Sequence, residues 1–285
     1  MRPLLATGPI RLDLGEKRYD LTTRALVMGV LNRTKDSFYA PAATYDLDAF
    51  FVRAAQLVAD GADLLDVGGV RAGPGVEVTE DEELERVVPV VVALRERFDV
   101  PLSVDTWRAS VAAACFDAGA VLGNDISGFA DPDYLGVAAR AGASVVATHI
   151  RLRPRVADPD PVYDDLVGDV RAFLVERATR AVRAGVPKQR VIVDAGLDLG
   201  KNARQSLELL RASSTLADLG YPLLLSASNK TFLGAVLGLD INERRDASLS
   251  AAALGMALGC RVLRVHDVAG HVRVRDAVAS ILAAQ

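Results

Sequence analysis

Polar residues follow short apolar runs at eight places along the chain, and their types suit binding chemistry. These residues are Asn32, Asp66, Asp105, Asn124 with Asp125, His149, Asp194, Ser226 and His266. Asp, Asn and Ser also end strands for a structural reason, because they cap the next helix or form turns. That explanation suits a single position better than the whole set. The set therefore predicts one binding site.

The candidate residues separate into two chemistries. Carboxylate and amide acceptors suit a flat heterocycle that presents a row of N–H donors, and this group comprises Asp105, Asn124 and Asp194. Cationic and polar side chains could hold a phosphate or pyrophosphate, and this group comprises Asn32, Lys230, Arg264 and His266. The alternative is that Lys230 and Arg264 neutralise the acids in structural ion pairs.

Eight β-branched or apolar runs alternate with stretches of helical periodicity. The runs are Leu26–Leu31, Leu64–Val67, Leu102–Val104, Val121–Gly123, Ser144–Ala147, Val191–Val193, Leu223–Leu225 and Val262–Val265. Continuous apolar runs are typical of parallel strands that are buried on both faces, and eight strand–helix units close a barrel. The pattern predicts an α/β fold, a (β/α)8 TIM barrel with the candidates at one rim. An open doubly wound sheet is the alternative, but neither of its glycine-rich phosphate motifs occurs.

The first 24 residues precede the first predicted strand of the barrel. The segment IRLDLGEKRYDL predicts a β-hairpin that turns at Gly15 and Glu16 and plugs the lower end of the barrel. No linker or low-complexity segment interrupts the chain. We therefore expect one domain over residues 1–285.

The composition is typical of a soluble protein. The 33 basic and 37 acidic residues give a formal charge of -4, and no basic tract predicts a nucleic-acid partner. No apolar stretch approaches the ~20 residues that a membrane span needs. Cys115 and Cys260 are the two cysteines, and we expect both in the core of a cytoplasmic protein.

Seven motifs in chain order resemble the strand-end motifs of the dihydropteroate synthase family. They are MGVLNRTKDSF, GADLLDVGG, LSVDTWRASVA, GNDISG, VIVDAGLDLGK, SNKTFLG and RVHDV. The resemblance covers nearly the whole chain. It implies a folate-pathway transferase in which the amine of p-aminobenzoate displaces pyrophosphate from hydroxymethyl-dihydropterin pyrophosphate.

The resemblance also implies a role for each matching residue. The pterin would be bound by Asp105, Asn124, Asp194 and Lys230, and the pyrophosphate by Asn32, Arg264 and His266. Asn32 would help to hold a Mg²⁺ ion. The acids would stabilise a pterin cation, while the metal and the bases would stabilise the leaving anion, so no nucleophilic side chain is required.

The chain departs from the family on the acceptor side. The family's Gly-Gly-Glu-Ser-Thr-Arg-Pro-Gly is GGVRAGPG at residues 68–75, and the second aspartate of the first loop is Ala40. The divergent acceptor-side positions are Thr34, Lys35, Arg71, Ser228 and Asn229. Arg71 could swing into the place of the family's arginine, although a solvated side chain is the favoured interpretation.

Three functions are consistent with these residues. The first is a synthase with a divergent acceptor pocket, and the second resembles the second, synthase-like paralogue of actinobacteria, with weak or no turnover. The third is a methyltransferase on the same barrel, which Lys230 and the RVHDV motif disfavour. The resemblance further implies a homodimer, with residues 247–258 apolar enough to face core or partner. His149 lies at a strand end, and His271 is expected at the surface.

Overall fold

The computed structural model describes residues 9–33 and 43–284, and eight parallel strands close into a barrel. In barrel order the strands are β10, β3, β4, β5, β6, β7, β8 and β9. Their bounds are Leu26–Asn32 (β3), Leu64–Gly68 (β4), Leu102–Asp105 (β5), Leu122–Asp125 (β6), Ser144–Thr148 (β7), Val191–Asp194 (β8), Leu223–Leu225 (β9) and Cys260–Val265 (β10). These strands confirm the predicted runs and differ from them only at their ends.

Helices follow every strand of the barrel and surround it. Their bounds are Ala43–Ala59 (α1), Glu80–Arg97 (α2), Ala109–Asp117 (α3), Tyr134–Arg140 (α4), Leu166–Arg183 (α5), Ala203–Arg211 (α6), Ser213–Ala217 (α7), Thr231–Leu237 (α8), Arg245–Ala257 (α9) and Val268–Ala283 (α10). Within the described part of the chain, none of the helices has the length and apolar character needed to cross a membrane.

The predicted N-terminal hairpin is present and closes one end of the barrel. Strand β1 (Arg11–Leu14) pairs antiparallel with β2 (Lys17–Asp20) around Gly15, which has a left-handed φ of +61°. Leu12 and Leu14 are fully buried with the inward-facing residues of the barrel, such as Met28 and Ile192. The amino-terminal end of the barrel is therefore filled by apolar side chains of the hairpin.

A second apolar cluster lies between the strands and the surrounding helices. Both cysteines belong to it, as predicted, and neither forms a disulfide. Burial raises the pKa of Cys115 and of Cys260 to about 12, so both remain neutral thiols at physiological pH. The polar chemistry is thus left to the opposite end of the barrel, where the carboxyl ends of the strands lie.

Candidate active site

Three neighbouring strands end in a buried acid–amide cluster. Asp66, Asp105 and Asn124 stand at or near the ends of β4, β5 and β6, and the register pairs Asp105 with Asn124. Asp66 is fully buried and accepts hydrogen bonds from Ser103 Oγ at 2.5 Å and from Asn124 Nδ2 at 3.1 Å. Asp66 therefore orients the amide of Asn124.

Arg264 crosses from β10 to this cluster. Its Nε donates to Asp66 Oδ2 at 2.6 Å, and its Nη2 donates to Asp105 Oδ2 at 2.7 Å. Arg264 therefore forms structural ion pairs with the rim acids, as the alternative interpretation of the sequence predicted. Of the residues that the structure describes, none accepts a hydrogen bond from Nη1 of Arg264. Among the described residues this N–H donor is therefore unused, and an anion could accept from it.

Burial controls the charge of these groups. It raises the pKa of Asp105 to about 7, with Arg264 opposing the shift and Asp66 adding to it. Burial opposes the charged form of Arg264, but Asp66 and Asp105 together raise its pKa above the ordinary value. At neutral pH Asp105 is therefore close to half protonated, while Arg264 carries its full charge.

Asp194 and Lys230 lie on the other side of the rim, at the end of β8 and before α8. Asp194 Oδ1 accepts a hydrogen bond from Gly196 N at 2.8 Å, and burial raises the pKa of this carboxyl. Lys230 Nζ donates to Leu197 O at 2.8 Å, and burial lowers the pKa of its ammonium. Of the described carboxylates, none lies within ion-pair distance of Lys230. The alternative interpretation, a structural ion pair with a rim acid, therefore does not apply to this lysine.

Lys201 fixes the loop that follows β8. Its Nζ donates to Gly196 O at 2.9 Å and to Leu199 O at 2.8 Å, and burial lowers its pKa to about 7. Gly196 has a φ of +64°, and a Cβ there would lie 1.9 Å from the carbonyl oxygen of His149. The loop is therefore a tight, preformed wall beside Asp194.

A cavity of about 360 Å³ lies beside His266, the residue that follows β10. It brings together the predicted residues Ser228, Asn229 and His266. Ser228 Oγ lies 3.1 Å from His266 Nδ1 and accepts from His266 N at 3.2 Å. Burial first, and then the neighbouring charge of Arg264, lowers the pKa of His266 to about 4. His266 is therefore neutral at pH 7 and can act as a hydrogen-bond donor without contributing charge.

Two arginines and a second histidine line the same cavity and were absent from the predicted site. Arg53 donates to His266 O at 2.5 Å, and Arg245 forms an ion pair with Asp267 at 2.8 Å. The prediction that His271 lies at the surface is wrong. His271 is 1% exposed, and its Nδ1 bonds to Asp267 O at 2.6 Å within the first turn of α10, which gives the buried ring a polar partner.

The remaining predicted residues lie on the loops around the rim. Asn32 ends β3 beside Gly68, where a Cβ would lie 3.3 Å from Asn32 Oδ1 and 3.7 Å from Asp105 Oδ2. Arg71 is exposed, as the favoured interpretation predicted. Thr34, Lys35 and Ala40 lie outside the described residues. His149 directly follows β7 and is buried, and its ring makes an edge-on contact with Phe173 at 4.8 Å between the ring centres.

The donors near Asn32 fit a metal ion that arrives with a phosphate ligand. The described residues contain no group of three or more His, Cys, Asp or Glu side chains that could hold an ion alone. The amide oxygen of Asn32 is a hard donor of the kind that Mg²⁺ prefers, and Mg²⁺ commonly takes its other ligands from water and phosphate oxygens. One protein oxygen beside an anion site is consistent with that mode.

A closed (β/α)8 barrel with acids, an amide and cations at its carboxyl rim has the architecture of a barrel enzyme. Residues 28–266 match the family model described as pterin binding enzyme. The chain is 45% identical to Inactive dihydropteroate synthase 2 of Mycobacterium leprae, over 99% of this chain and 95% of that protein. It is 39% identical to the dihydropteroate synthase of Bacillus subtilis, over 93% and 89% of the two chains.

Solved structures give the same result. The Yersinia pestis dihydropteroate synthase in complex with a sulfonamide drug superposes with a TM-score of 0.90, 38% identity and coverage of 96% of this chain and 100% of that one. The Xanthomonas albilineans enzyme with 4-aminobenzoic acid superposes with a TM-score of 0.90, 35% identity and coverage of 98% and 100%. The chain belongs to the dihydropteroate synthase family.

Proposed function

We propose that this barrel binds hydroxymethyl-dihydropterin pyrophosphate and transfers the pterin methylene to p-aminobenzoate, with release of pyrophosphate. The observation that carries the proposal is the buried cluster of Asp66, Asp105, Asn124 and Arg264, with Asp194 and Lys230 opposite. The cluster combines acceptors that suit a donor-rich ring with an arginine whose Nη1 has no acceptor among the described residues. A pterin ring and its pyrophosphate require both at once.

Each residue has a defined part in this reaction. Asp105, Asn124 and Asp194 accept the N–H donors of the pterin edge, and Lys230 donates to a ring acceptor. The C–O bond to pyrophosphate breaks and the leaving group takes the electron pair. The aminobenzoate nitrogen then forms the new C–N bond and releases a proton. The buried carboxylates stabilise positive charge at the methylene carbon.

The leaving pyrophosphate is held by the cationic end of the rim. Arg264 Nη1, the neutral ring of His266 and the amide of Asn32 are the proposed donors and polar partners. We propose that Asn32 would help to hold Mg²⁺ together with the pyrophosphate, and the bound ion would supply charge neutralisation for the leaving group. No side chain acts as a nucleophile in this scheme.

The second candidate function is pterin binding with slow or no turnover, in which the ring site, formed by Asp105, Asn124, Asp194 and Lys230, is kept. Two observations favour it. The second loop contains GGVRAGPG where the family's Ser-Thr-Arg helps to build the acceptor end, and the relative at 45% identity carries the name of an inactive synthase. The residues of the ring site do not separate the two candidates, because both use them.

The deciding experiment is pyrophosphate release from hydroxymethyl-dihydropterin pyrophosphate with Mg²⁺, with and without p-aminobenzoate. Release that depends on p-aminobenzoate and is lost in Lys230→Ala supports the synthase. Binding of the pterin by calorimetry without release supports the second candidate. Failure of the wild-type protein to bind the pterin at all would refute both.

We also propose that the protein is a cytoplasmic homodimer. The buried thiols of Cys115 and Cys260 suit a reducing compartment. An apolar groove of about 540 Å³ between α8 and α9 is lined by Leu233, Leu237 and Leu254, and the last two are 57% and 47% exposed. We expect a dimer by light scattering, and a monomer for Leu254→Glu. A wild-type monomer would contradict the proposal.

A further inference from the structure

Ser228 and His266 meet beside the carboxyl end of β10, and two contacts join them. The backbone N–H of His266 donates to Ser228 Oγ at 3.2 Å, and the same Oγ lies 3.1 Å from Nδ1 of the His266 ring. Among the described residues, Ser228 Oγ has no third hydrogen-bond partner. One serine hydroxyl is therefore shared between the backbone and the ring of a single histidine.

The hydroxyl proton of Ser228 decides which ring nitrogen can carry a proton. A serine oxygen has one proton to donate and two lone pairs that accept, and one lone pair is taken by the backbone N–H of His266. Ser228 is buried, and buried hydroxyls need an acceptor for their proton. Among the described residues, His266 Nδ1 is the acceptor within hydrogen-bond distance. The hydroxyl therefore donates to Nδ1, which must be unprotonated.

The cations around His266 keep its ring neutral, and only a neutral ring has a choice between its two nitrogens. Arg264 lies two positions earlier in the chain, and Arg53 Nη2 donates to His266 O at 2.5 Å. Burial first, and then the charges of these two arginines, lowers the pKa of His266 to about 4. A neutral imidazole carries a single N–H. Because Nδ1 accepts from Ser228, that proton lies on Nε2.

The Nε2 atom of His266 is available to a ligand. It has no hydrogen-bond partner among the described residues, and His266 lines the cavity of about 360 Å³. Arg264, with its unused Nη1, supplies a second free donor from the same strand end. A charged and a neutral N–H donor are therefore both left for an anion.

The backbone next to Ser228 is fixed by contacts that do not involve the histidine. Asn229 has a φ of +58°, a left-handed conformation that asparagine adopts more readily than most residues. Its backbone N–H donates to Ser248 Oγ at 3.0 Å, and its carbonyl oxygen accepts from Arg244 Nη1 at 3.2 Å. The hydroxyl of Ser228 is thus presented to the ring from a rigid turn.

We propose that Ser228 is a positioning residue that holds His266 as the tautomer with its proton on Nε2, so that the neutral ring donates a hydrogen bond to the leaving pyrophosphate. The part played by pyrophosphate rests on the function proposed above, whereas the tautomer is a property of the chain alone. Without the hydroxyl the proton is free to occupy either nitrogen. A ring with its proton on Nδ1 presents a lone pair to the anion and repels it.

Long-range ¹H–¹⁵N correlation spectra of the histidine rings test the tautomer directly. The chain has three histidines, and the signals that disappear in His266→Gln identify His266. At about pH 7 we expect the ¹⁵N shift of a protonated nitrogen for Nε2 and that of an unprotonated nitrogen for Nδ1. Ser228→Ala should move the two shifts toward each other as the tautomers mix. Ser228→Thr keeps the hydroxyl and should restore them.

Ser213→Ala is the matched control. Ser213 is also a buried serine, but its Oγ donates to Leu210 O at 2.7 Å. This variant should leave both ¹⁵N shifts of His266 unchanged. A protonated Nδ1 or a doubly protonated ring in the wild type would overturn the inference, and so would shifts that do not change in Ser228→Ala.

Calorimetry with inorganic pyrophosphate and Mg²⁺ provides the second readout. Ser228→Ala should weaken binding by about 2- to 10-fold, the equivalent of one neutral hydrogen bond, and Ser213→Ala should not weaken it. Equal affinity of Ser228→Ala and the wild type would overturn the role of Ser228 in anion binding. If the wild type shows the expected tautomer but binds no pyrophosphate, the pyrophosphate site proposed above fails and the assignment of the tautomer to Ser228 is upheld.

Discussion

Asp105→Asn should make folding stability less sensitive to pH, because Asp105 is an acid that the fold holds partly protonated. Its pKa is 3.8 in an unperturbed chain and about 7 in the folded one. A carboxyl whose folded pKa is raised stabilises the folded chain at low pH. That contribution is lost as the pH rises through the folded value. Asparagine has no proton to lose, so the variant lacks this dependence.

The expected size follows from the linkage relation. With pKa values of 3.8 and about 7, this carboxyl favours the folded state by about 3 kcal/mol at about pH 5 and by almost nothing at about pH 7.5. The variant loses the ion pair with Arg264, whose effect on this titration is already contained in the pKa of about 7. The difference in unfolding free energy between variant and wild type should therefore move by about 2–3 kcal/mol in favour of the variant as the pH rises.

Urea unfolding followed by circular dichroism at the two pH values measures this difference. Asp246→Asn is the matched control, because it removes a surface carboxylate that is 92% exposed. The control difference should change by less than about 0.5 kcal/mol. A variant difference that is constant with pH, or that moves in favour of the wild type, would refute the argument from burial.

Three further predictions concern binding and stability. Affinity for 6-hydroxymethylpterin should fall about ten-fold from about pH 8 to about pH 6, because the N–H donors of the ring bind the ionised form of Asp105. A dissociation constant that does not change with pH in calorimetry would contradict this. Arg108→Met should cost about 3–5 kcal/mol, because it leaves the fully buried partner Glu83 unpaired; urea unfolding should show a smaller loss for surface Arg95→Met. Leu12→Ala should lower stability by about 2–5 kcal/mol in the same assay, since Leu12 is 0% exposed in the hairpin plug. Val52→Ala, at a 71% exposed position, should have little effect.

The sequence was sufficient to predict the barrel and its rim. Parallel strands that are buried on both faces have continuous apolar sequences. A polar residue at the end of such a strand lies at the carboxyl end of the barrel, and this does not depend on how the helices pack. The hairpin was predictable for a similar reason, because Gly15 separates two short strand patterns. These features depend on neighbours in sequence, so one chain is enough to find them.

The contacts across the barrel were not predictable in the same way. Arg264 and Asp66 are 198 positions apart, and no pattern in their local sequences predicts that these two side chains form an ion pair. His271 was misassigned because the polar character of histidine suggested exposure, whereas a bond to the carbonyl of Asp267 allows its burial.

The closure of the barrel by β3 and β10 sets the order in which the protein can fold. Val262 pairs with Leu26 near the two ends of the chain, so this contact forms only after nearly all of the polypeptide is available. Arg264 lies in β10, so Asp66 and Asp105 remain without their cation until that strand has joined the barrel. During synthesis, Asp66 and Asp105 must therefore remain exposed to water until β10 is available. We expect folding to be slow, with the charged rim completed in its last step.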